Sequence, residues 1–222
     1  MMVHVTSDPG CRPKSVLNLA GFLARSEVNG PGIRAVVWVQ GCPIRCRGCF
    51  NPQSWSFSPA HMVAVDELSE QILALDDIDG VTFSGGEPFA QAAALADLGG
   101  QMKHAGLSIV TFTGYTHEHI LRDGRPSYLR LLMMTDLLIA GPYIPSCAPA
   151  HPFAGSGNQC ILPLNGNLAS GTAVPVTPIR QAEYTILPDG SITVTGFPGP
   201  QVTRRVAARC RRGVRPCRIT AA

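Results

Sequence analysis

Cys42, Cys46 and Cys49 stand at CxxxCxxC spacing in the stretch Gly41-Cys42-Pro43-Ile44-Arg45-Cys46-Arg47-Gly48-Cys49-Phe50-Asn51. One tight loop can turn three such thiolates inward, whereas a structural zinc site or a closed iron–sulfur cluster takes four protein ligands. Three ligands leave one metal position open. An open iron on a [4Fe-4S] cube can coordinate a small molecule and pass it an electron, so the spacing predicts chemistry rather than cross-linking. Two other readings remain: a zinc loop that borrows a fourth ligand such as His61, or three buried thiols. Zinc would bring a second ligand pair with its own spacing, and the sequence shows none.

A second motif follows about 35 residues later, Val81-Thr82-Phe83-Ser84-Gly85-Gly86-Glu87-Pro88. Two glycines allow a backbone to approach a ligand with no Cβ in the way, and a carboxylate beyond them can accept hydrogen bonds from a cationic amine. The same residues also suit a plain strand-to-helix turn, with Glu87 in the first helical turn where the macrodipole favours an acid. Arg34 is a candidate counter-charge for a carboxylate or for an anionic cluster, with a surface ion pair as the alternative. Tyr115 and Tyr143 are candidates to line a pocket, or core tyrosines with a satisfied hydroxyl.

These segments resemble the radical S-adenosylmethionine (SAM) superfamily, in particular the short activating enzymes of anaerobic ribonucleotide reductase and related glycyl-radical enzymes. Asn29-Gly30-Pro31-Gly32-Ile33-Arg34 with the apolar run Ala35 to Val39 is similar to the family's lead-in strand. Thr113-Gly114-Tyr115, Gly141-Pro142-Tyr143 and Gly155-Ser156-Gly157-Asn158-Gln159 are similar to later signatures, and the likeness spans residues 16 to 163. It departs at Ala140, where activases often carry an acid, and in the altered stretch Ala154-Gly155-Ser156-Gly157-Asn158.

The resemblance implies a [4Fe-4S] cluster on Cys42, Cys46 and Cys49, with the fourth iron chelated by the methionine part of SAM. It implies a SAM site formed by Phe50, Ser84, Gly85, Gly86, Glu87 and Thr113: Phe50 at adenine, or sealing the cluster, and Thr113 near the ribose or carboxylate. The implied activity is cleavage of SAM to a 5′-deoxyadenosyl radical that takes hydrogen from a glycine of a partner glycyl-radical enzyme. The implied electron donor is flavodoxin- or ferredoxin-like. Two alternatives are radical modification of a small molecule or peptide, and a non-catalytic iron–sulfur protein that senses redox state or binds nucleic acid.

The elements that must position these residues follow from patterning. Val16 to Ala24 and Ile33 to Gln40 read as strands, and Val65 to Ile78 and Phe89 to His104 as amphipathic helices. Strands at 81–83, 108–112 and 136–140 alternate with helices at 117–121 and 126–134. This βα alternation predicts an α/β fold, a partial, open β/α barrel of about five or six mostly parallel strands. Glu183 to Leu187 and Ser191 to Phe197, around Pro188-Asp189-Gly190, predict a β-hairpin. The chain is expected to divide into a loose lead-in at 1–14, the partial barrel at 15–165, a covering segment and hairpin at 166–200, and an arginine-rich tail at 201–222.

Hydrophobic residues make up 45% of the 222 and charged residues 15%, which fits a packed globule. The seven arginines of residues 201–222 stand without an acid, leaving 11 basic and 15 acidic residues elsewhere. Such a tail can touch an acidic surface, although a solvated end is the plainer reading and nucleic acid is not the expected partner. No apolar run approaches the roughly 20 residues of a membrane span, and a cytoplasmic location is expected. The length is wrong for a small disulfide-stapled domain, so Cys11, Cys147, Cys160, Cys210 and Cys217 read as ordinary small residues or free thiols.

Overall fold

The structure, a computed structural model, describes residues 15–149, 151–165, 182–186, 192–197 and 218–219. In chain order the elements are β1 (Val16–Ser26), β2 (Arg34–Val39), β3 (His61–Ala64), α1 (Val65–Leu73), β4 (Gly80–Gly85), α2 (Ala92–His104), β5 (Ser108–Thr113), α3 (His117–Asp123), α4 (Pro126–Met134), β6 (Leu137–Ala140), β7 (Cys160–Pro163), β8 (Ala182–Ile186), β9 (Ile192–Gly196) and β10 (Arg218–Ile219). Single 3-10 turns occupy Pro52–Ser54 and Pro88–Gln91.

Seven strands form one sheet in the order β3-β1-β2-β4-β5-β6-β7, and β10-β9-β8 form a second. The central four, β2, β4, β5 and β6, run parallel. β1 pairs antiparallel with both β2 and β3, and β7 antiparallel with β6. The edges β3 and β7 are not paired with each other, so the large sheet is open.

Every residue of β2, β5 and β6 is buried, as parallel strands covered on both faces require. Alternation divides the two faces cleanly. Val37, Phe83, Ile109 and Leu138 face the layer of α1, α2 and α4, where Leu68, Ile72, Leu95, Leu98 and Leu131 complete the main core. Val110, Phe112, Leu137 and Ile139 face the other way, onto Phe153 and Phe197.

Two expectations are corrected. α1 stops at Leu73 rather than Ile78 because the chain turns at Ala74 and Asp77 takes a left-handed φ of 53°. β3 and β7 were not expected as strands; each has four residues, none fully buried, and Pro163 marks β7 as an edge. The paired strands of the expected hairpin are present as β8 and β9, while its Pro188-Asp189-Gly190 turn lies outside the described residues, as do residues 1–14 and all of the arginine tail except Arg218 and Ile219.

Arg34 has neither of the roles proposed from sequence. It starts β2, 1% exposed, and its guanidinium donates to Thr82 Oγ1 (3.0 Å), Ser108 Oγ (3.0 Å) and the carbonyls of Pro31 (2.9 Å), Val81 (3.0 Å) and Ser108 (2.6 Å). Burial pulls its pKa down to about 10, with Asp136 and Asp79 opposing. The residue ties together the beginnings of three parallel strands, at the end of the sheet away from the cysteines. Each buried acceptor orphaned by its removal costs about 1–3 kcal/mol. Arg34→Met is therefore expected to lower the unfolding free energy by more than about 3 kcal/mol in urea titration, against less than about 0.5 kcal/mol for exposed Arg25→Met.

Candidate functional site

β2 runs out into the cysteine loop at the carboxyl end of the parallel strands, where α/β folds place their chemistry. Gly41 N–H donates to Ser54 O at 2.8 Å and Cys42 N–H to Trp55 O at 3.2 Å, closing the loop over the Pro52–Ser54 turn. The loop curls through two left-handed residues, Arg45 (φ 52°) and Gly48 (φ 77°), and Cys49 N–H returns to Cys46 O at 3.1 Å. Cys42 is buried, while Cys46 and Cys49 are half-buried.

Backbone N–H groups point at all three sulfurs. Asn51 N–H donates to Cys49 Sγ at 3.3 Å; Arg45 and Ile44 serve Cys42, and Tyr143 serves Cys46. Burial raises the Cys42 and Cys46 thiols above their ordinary pKa, and these donors pull the other way. N–H donors aimed at sulfur favour the thiolate, which is the ligand form.

The Ser84-Gly85-Gly86-Glu87 turn is clasped to the root of the cysteine loop. Gly86 N–H donates to Val39 O at 2.7 Å and Glu87 N–H to Gly41 O at 2.8 Å. A Cβ on Gly86 would lie 2.3 Å from Gly41 O; on Gly85, whose φ is +104°, it would lie 2.5 Å from Val39 N. The glycines thus make room first for the protein's own backbone, while both still line the pocket beside the cysteines.

Glu87 is 1% exposed and ties two motifs together. Its Oε1 accepts from Phe89 N–H (2.9 Å) and Thr113 Oγ1 (2.8 Å), and its Oε2 from Gly114 N–H (2.9 Å). It caps the Pro88–Gln91 turn, as the strand-to-helix reading of the sequence anticipates, yet its reach to Thr113 and Gly114 goes beyond capping. Burial pushes its pKa up to about 7 despite these three donors. An ionised carboxylate offers about four acceptor positions, so Oε2 keeps room for one further donor.

One pocket gathers Cys42, Cys46, Cys49, Phe50, Ser84, Gly85, Gly86, Glu87 and Thr113, the residues that the resemblance implies for the cluster and for SAM. Tyr143 lines it too, with its ring 4.9 Å from that of Phe50 between centroids. Tyr115 does not: it stacks on His119 at 4.6 Å and packs against Tyr128. Gln159 holds the far wall, its Nε2 donating to Gly141 O (3.0 Å) and its Oε1 accepting from Gly155 N–H (2.8 Å) and Ser156 N–H (3.1 Å). Three lining residues went unnoticed in sequence: Trp55, Phe112 and Phe197. The indole Nε1 of Trp55 is buried with no acceptor among the described residues, so the pocket offers an unused donor. Phe197 carries no local signal, because it reaches the site only through tertiary packing.

The donor set fits a cube held at three corners. Three sulfurs edge one pocket, each met by backbone N–H, and its lining includes the rings of Phe50, Phe112, Tyr143 and Phe197 and the unpartnered indole of Trp55. Among the described residues no group of three or more Cys, His, Asp or Glu side chains is arranged around a single-ion site. His61 lies on edge strand β3 and Cys147 and Cys160 lie outside the pocket lining.

Two outcomes are expected. A raised carboxyl pKa favours the neutral folded form, so the Glu87 contribution to stability is full below about pH 4.5 and lost as pH rises through 7. The unloaded protein should lose on the order of 2–3 kcal/mol in denaturant titrations between acid and mildly alkaline pH, and Glu87→Gln should flatten that slope while lowering the baseline. Gly86→Ala should displace the clasp, cutting iron and sulfide uptake on anaerobic reconstitution by more than about half while the chain stays folded by circular dichroism.

The profile of the family described as "4Fe-4S single cluster domain" matches residues 28–162. The anaerobic ribonucleoside-triphosphate reductase-activating protein of Vibrio cholerae is 35% identical over 155 residues, covering 65% of this chain and 97% of that protein. The pyruvate formate-lyase-activating enzymes of Clostridium pasteurianum and Staphylococcus aureus are 35% and 41% identical over 118 residues, half of this chain and 46% and 47% of theirs. This chain thus spans nearly all of the first relative and about half the length of the other two. Among solved structures it is similar to QueE from Escherichia coli, at TM-score 0.35 and 19% identity over 47% of this chain and 54% of that one. The chain belongs to the 4Fe-4S single cluster domain family.

Proposed function

We propose that this protein is a radical SAM activating enzyme: it holds a [4Fe-4S] cluster on Cys42, Cys46 and Cys49 and prepares a partner glycyl-radical enzyme by removing hydrogen from one of its glycines. The observation that carries the proposal is the convergence of the cysteine loop and the Gly-Gly-Glu turn on one pocket, locked by two backbone hydrogen bonds. The names of the relatives support the partner class. The open sheet is read as a partial barrel, with domain limits near residues 15 and 165.

When bound, the cluster supplies one-electron cleavage of SAM to methionine and a 5′-deoxyadenosyl radical. The residues of this chain bind and orient. Glu87 Oε2, with one acceptor position unused, would take the SAM ammonium, and that positive charge would hold the buried carboxyl ionised at neutral pH. Thr113 acts through Glu87, since its hydroxyl is already committed to Oε1. Ser84, Gly85 and Gly86 would form a floor for the amino acid part of SAM, and Phe50 would face the adenine or screen the cluster from water. Electrons would come from a flavodoxin- or ferredoxin-like carrier. Among the described residues no helix is long and apolar enough to cross a membrane.

Anaerobic reconstitution, followed by reduction with SAM, tests this. The expected outcome is 5′-deoxyadenosine from the wild type and at least about 100-fold less from Cys46→Ala, which loses a ligand of the electron-transfer centre. A glycyl-radical resonance should appear in a co-incubated partner enzyme. A modified peptide or metabolite with no protein radical would redirect the target. Reduced, cluster-loaded protein that forms no 5′-deoxyadenosine would end the proposal.

A further inference from the structure

The pocket has one wall that the matched family region does not contain. The match ends at residue 162, and β8 and β9 lie at 182–186 and 192–196. Phe197, directly after β9, is 4% exposed and packs with Val110, Phe112, Leu137, Ile139 and Phe153 on the sheet face away from the helices. Its ring meets Phe50 edge-on, with centroids 6.1 Å apart at 72°, and it lines the pocket shared by the three cysteines.

The hairpin is anchored by polar contacts at the beginnings of the strands, buried at Asn29 and exposed at Glu27. Asn29, fully buried in the turn before β2, donates from Nδ2 to Thr195 Oγ1 at 2.9 Å and to Ser26 Oγ at 2.7 Å. Asn29 O in turn accepts from Thr82 Oγ1 at 2.7 Å. Glu27 N–H donates to Glu183 Oε1 at 2.7 Å. A buried amide whose partner is a buried hydroxyl fixes register more tightly than apolar contact alone, because any slip leaves both groups unpaired. Thr195 is fixed in this way, and Phe197 follows two residues on.

We infer that the β8–β9 hairpin is a built-in wall of the reaction pocket, with Phe197 as a positioning residue that holds the Phe50 ring and shuts the cluster side off from bulk water. The inference deepens the proposed function and rests on this pocket being the reaction site. An aromatic edge against Phe50 restricts that ring's rotation. The Phe197 edge would keep water from the face behind Phe50, as an electron-donating cluster and a radical intermediate would both require. Access to the site is therefore controlled by a part of the chain outside the shared family region.

The test reads access without cluster or SAM. The chain has two tryptophans, Trp38 and Trp55, so in a Trp38→Phe background, into which every variant is placed, acrylamide quenching reports Trp55 in the pocket alone. Phe197→Ala should raise the quenching constant of the unloaded protein at least about twofold, and Phe197→Leu, which refills the space, should restore it to near the wild-type value. Thr195→Val, which cuts the anchor and leaves the pocket residues untouched, should raise it as well. Ile186→Ser, at a position 74% exposed on the same hairpin, should change nothing. In the reconstituted protein, Phe197→Ala should speed bleaching of cluster absorbance in air by a similar factor. Unchanged quenching in both Phe197→Ala and Thr195→Val, or in Thr195→Val alone if Phe197→Ala does not fold, overturns the inference. A wild type that fails to cleave SAM would overturn the function and leave the quenching result standing.

Discussion

Two backbone hydrogen bonds, Gly86 N–H to Val39 O and Glu87 N–H to Gly41 O, fasten the end of β4 to the place where β2 becomes the cysteine loop. The contact is backbone to backbone, so it tolerates no side chain on either glycine. Everything chemical is arranged from this point. The cysteines descend from one side of the clasp, Glu87 is thrown inward on the other, and the carboxylate then reaches across to Thr113 and Gly114 to fix the end of β5 as well. Three strand ends become one rigid rim, which is the preorganisation a reaction with a short-lived radical needs.

The two ends of the sheet divide the work. At the beginnings of the strands Arg34 satisfies five acceptors in a dry setting, a device that specifies strand register and has no part in chemistry. At the strand ends, burial pushes the Glu87 carboxyl up to about 7 and one of its acceptor positions is unused, in a pocket also lined by Trp55, whose buried indole donor has no acceptor among the described residues. Unspent hydrogen-bonding capacity concentrated in one pocket is the mark of a site completed by something other than protein.

Much of this was legible in the sequence. CxxxCxxC marked the loop that brings three thiols to one pocket because its spacing is a local property, and the Gly-Gly-Glu turn announced itself because few residues can follow a strand so abruptly. The central strands and α4 followed from alternation and period. What escaped depended on contacts between distant parts of the chain. Arg34 looked like a surface or site cation, and only the packing of β4 and β5 around it shows that it is buried far from the cysteines. β3 and β7 are edge strands of four residues with weak patterns. Thr113 was correctly placed on the rim, but its commitment to Glu87 follows from the register of β4 against β5. Phe197 was legible only as the end of a hairpin, because its place in the pocket is set by the anchoring of Thr195 to Asn29.

That anchoring also has a consequence in time. Phe197 follows Pro163, the end of the last strand of the large sheet, by 34 positions, so a ribosome adding about 5–20 residues per second completes that sheet roughly 2–7 seconds before the hairpin exists. In that interval the large sheet and the pocket floor are complete while the hairpin wall is absent, so the thiols would be open to a metal carrier and equally to oxidants. Synthesis of the hairpin would then close that side, so the order of synthesis would set a window for loading.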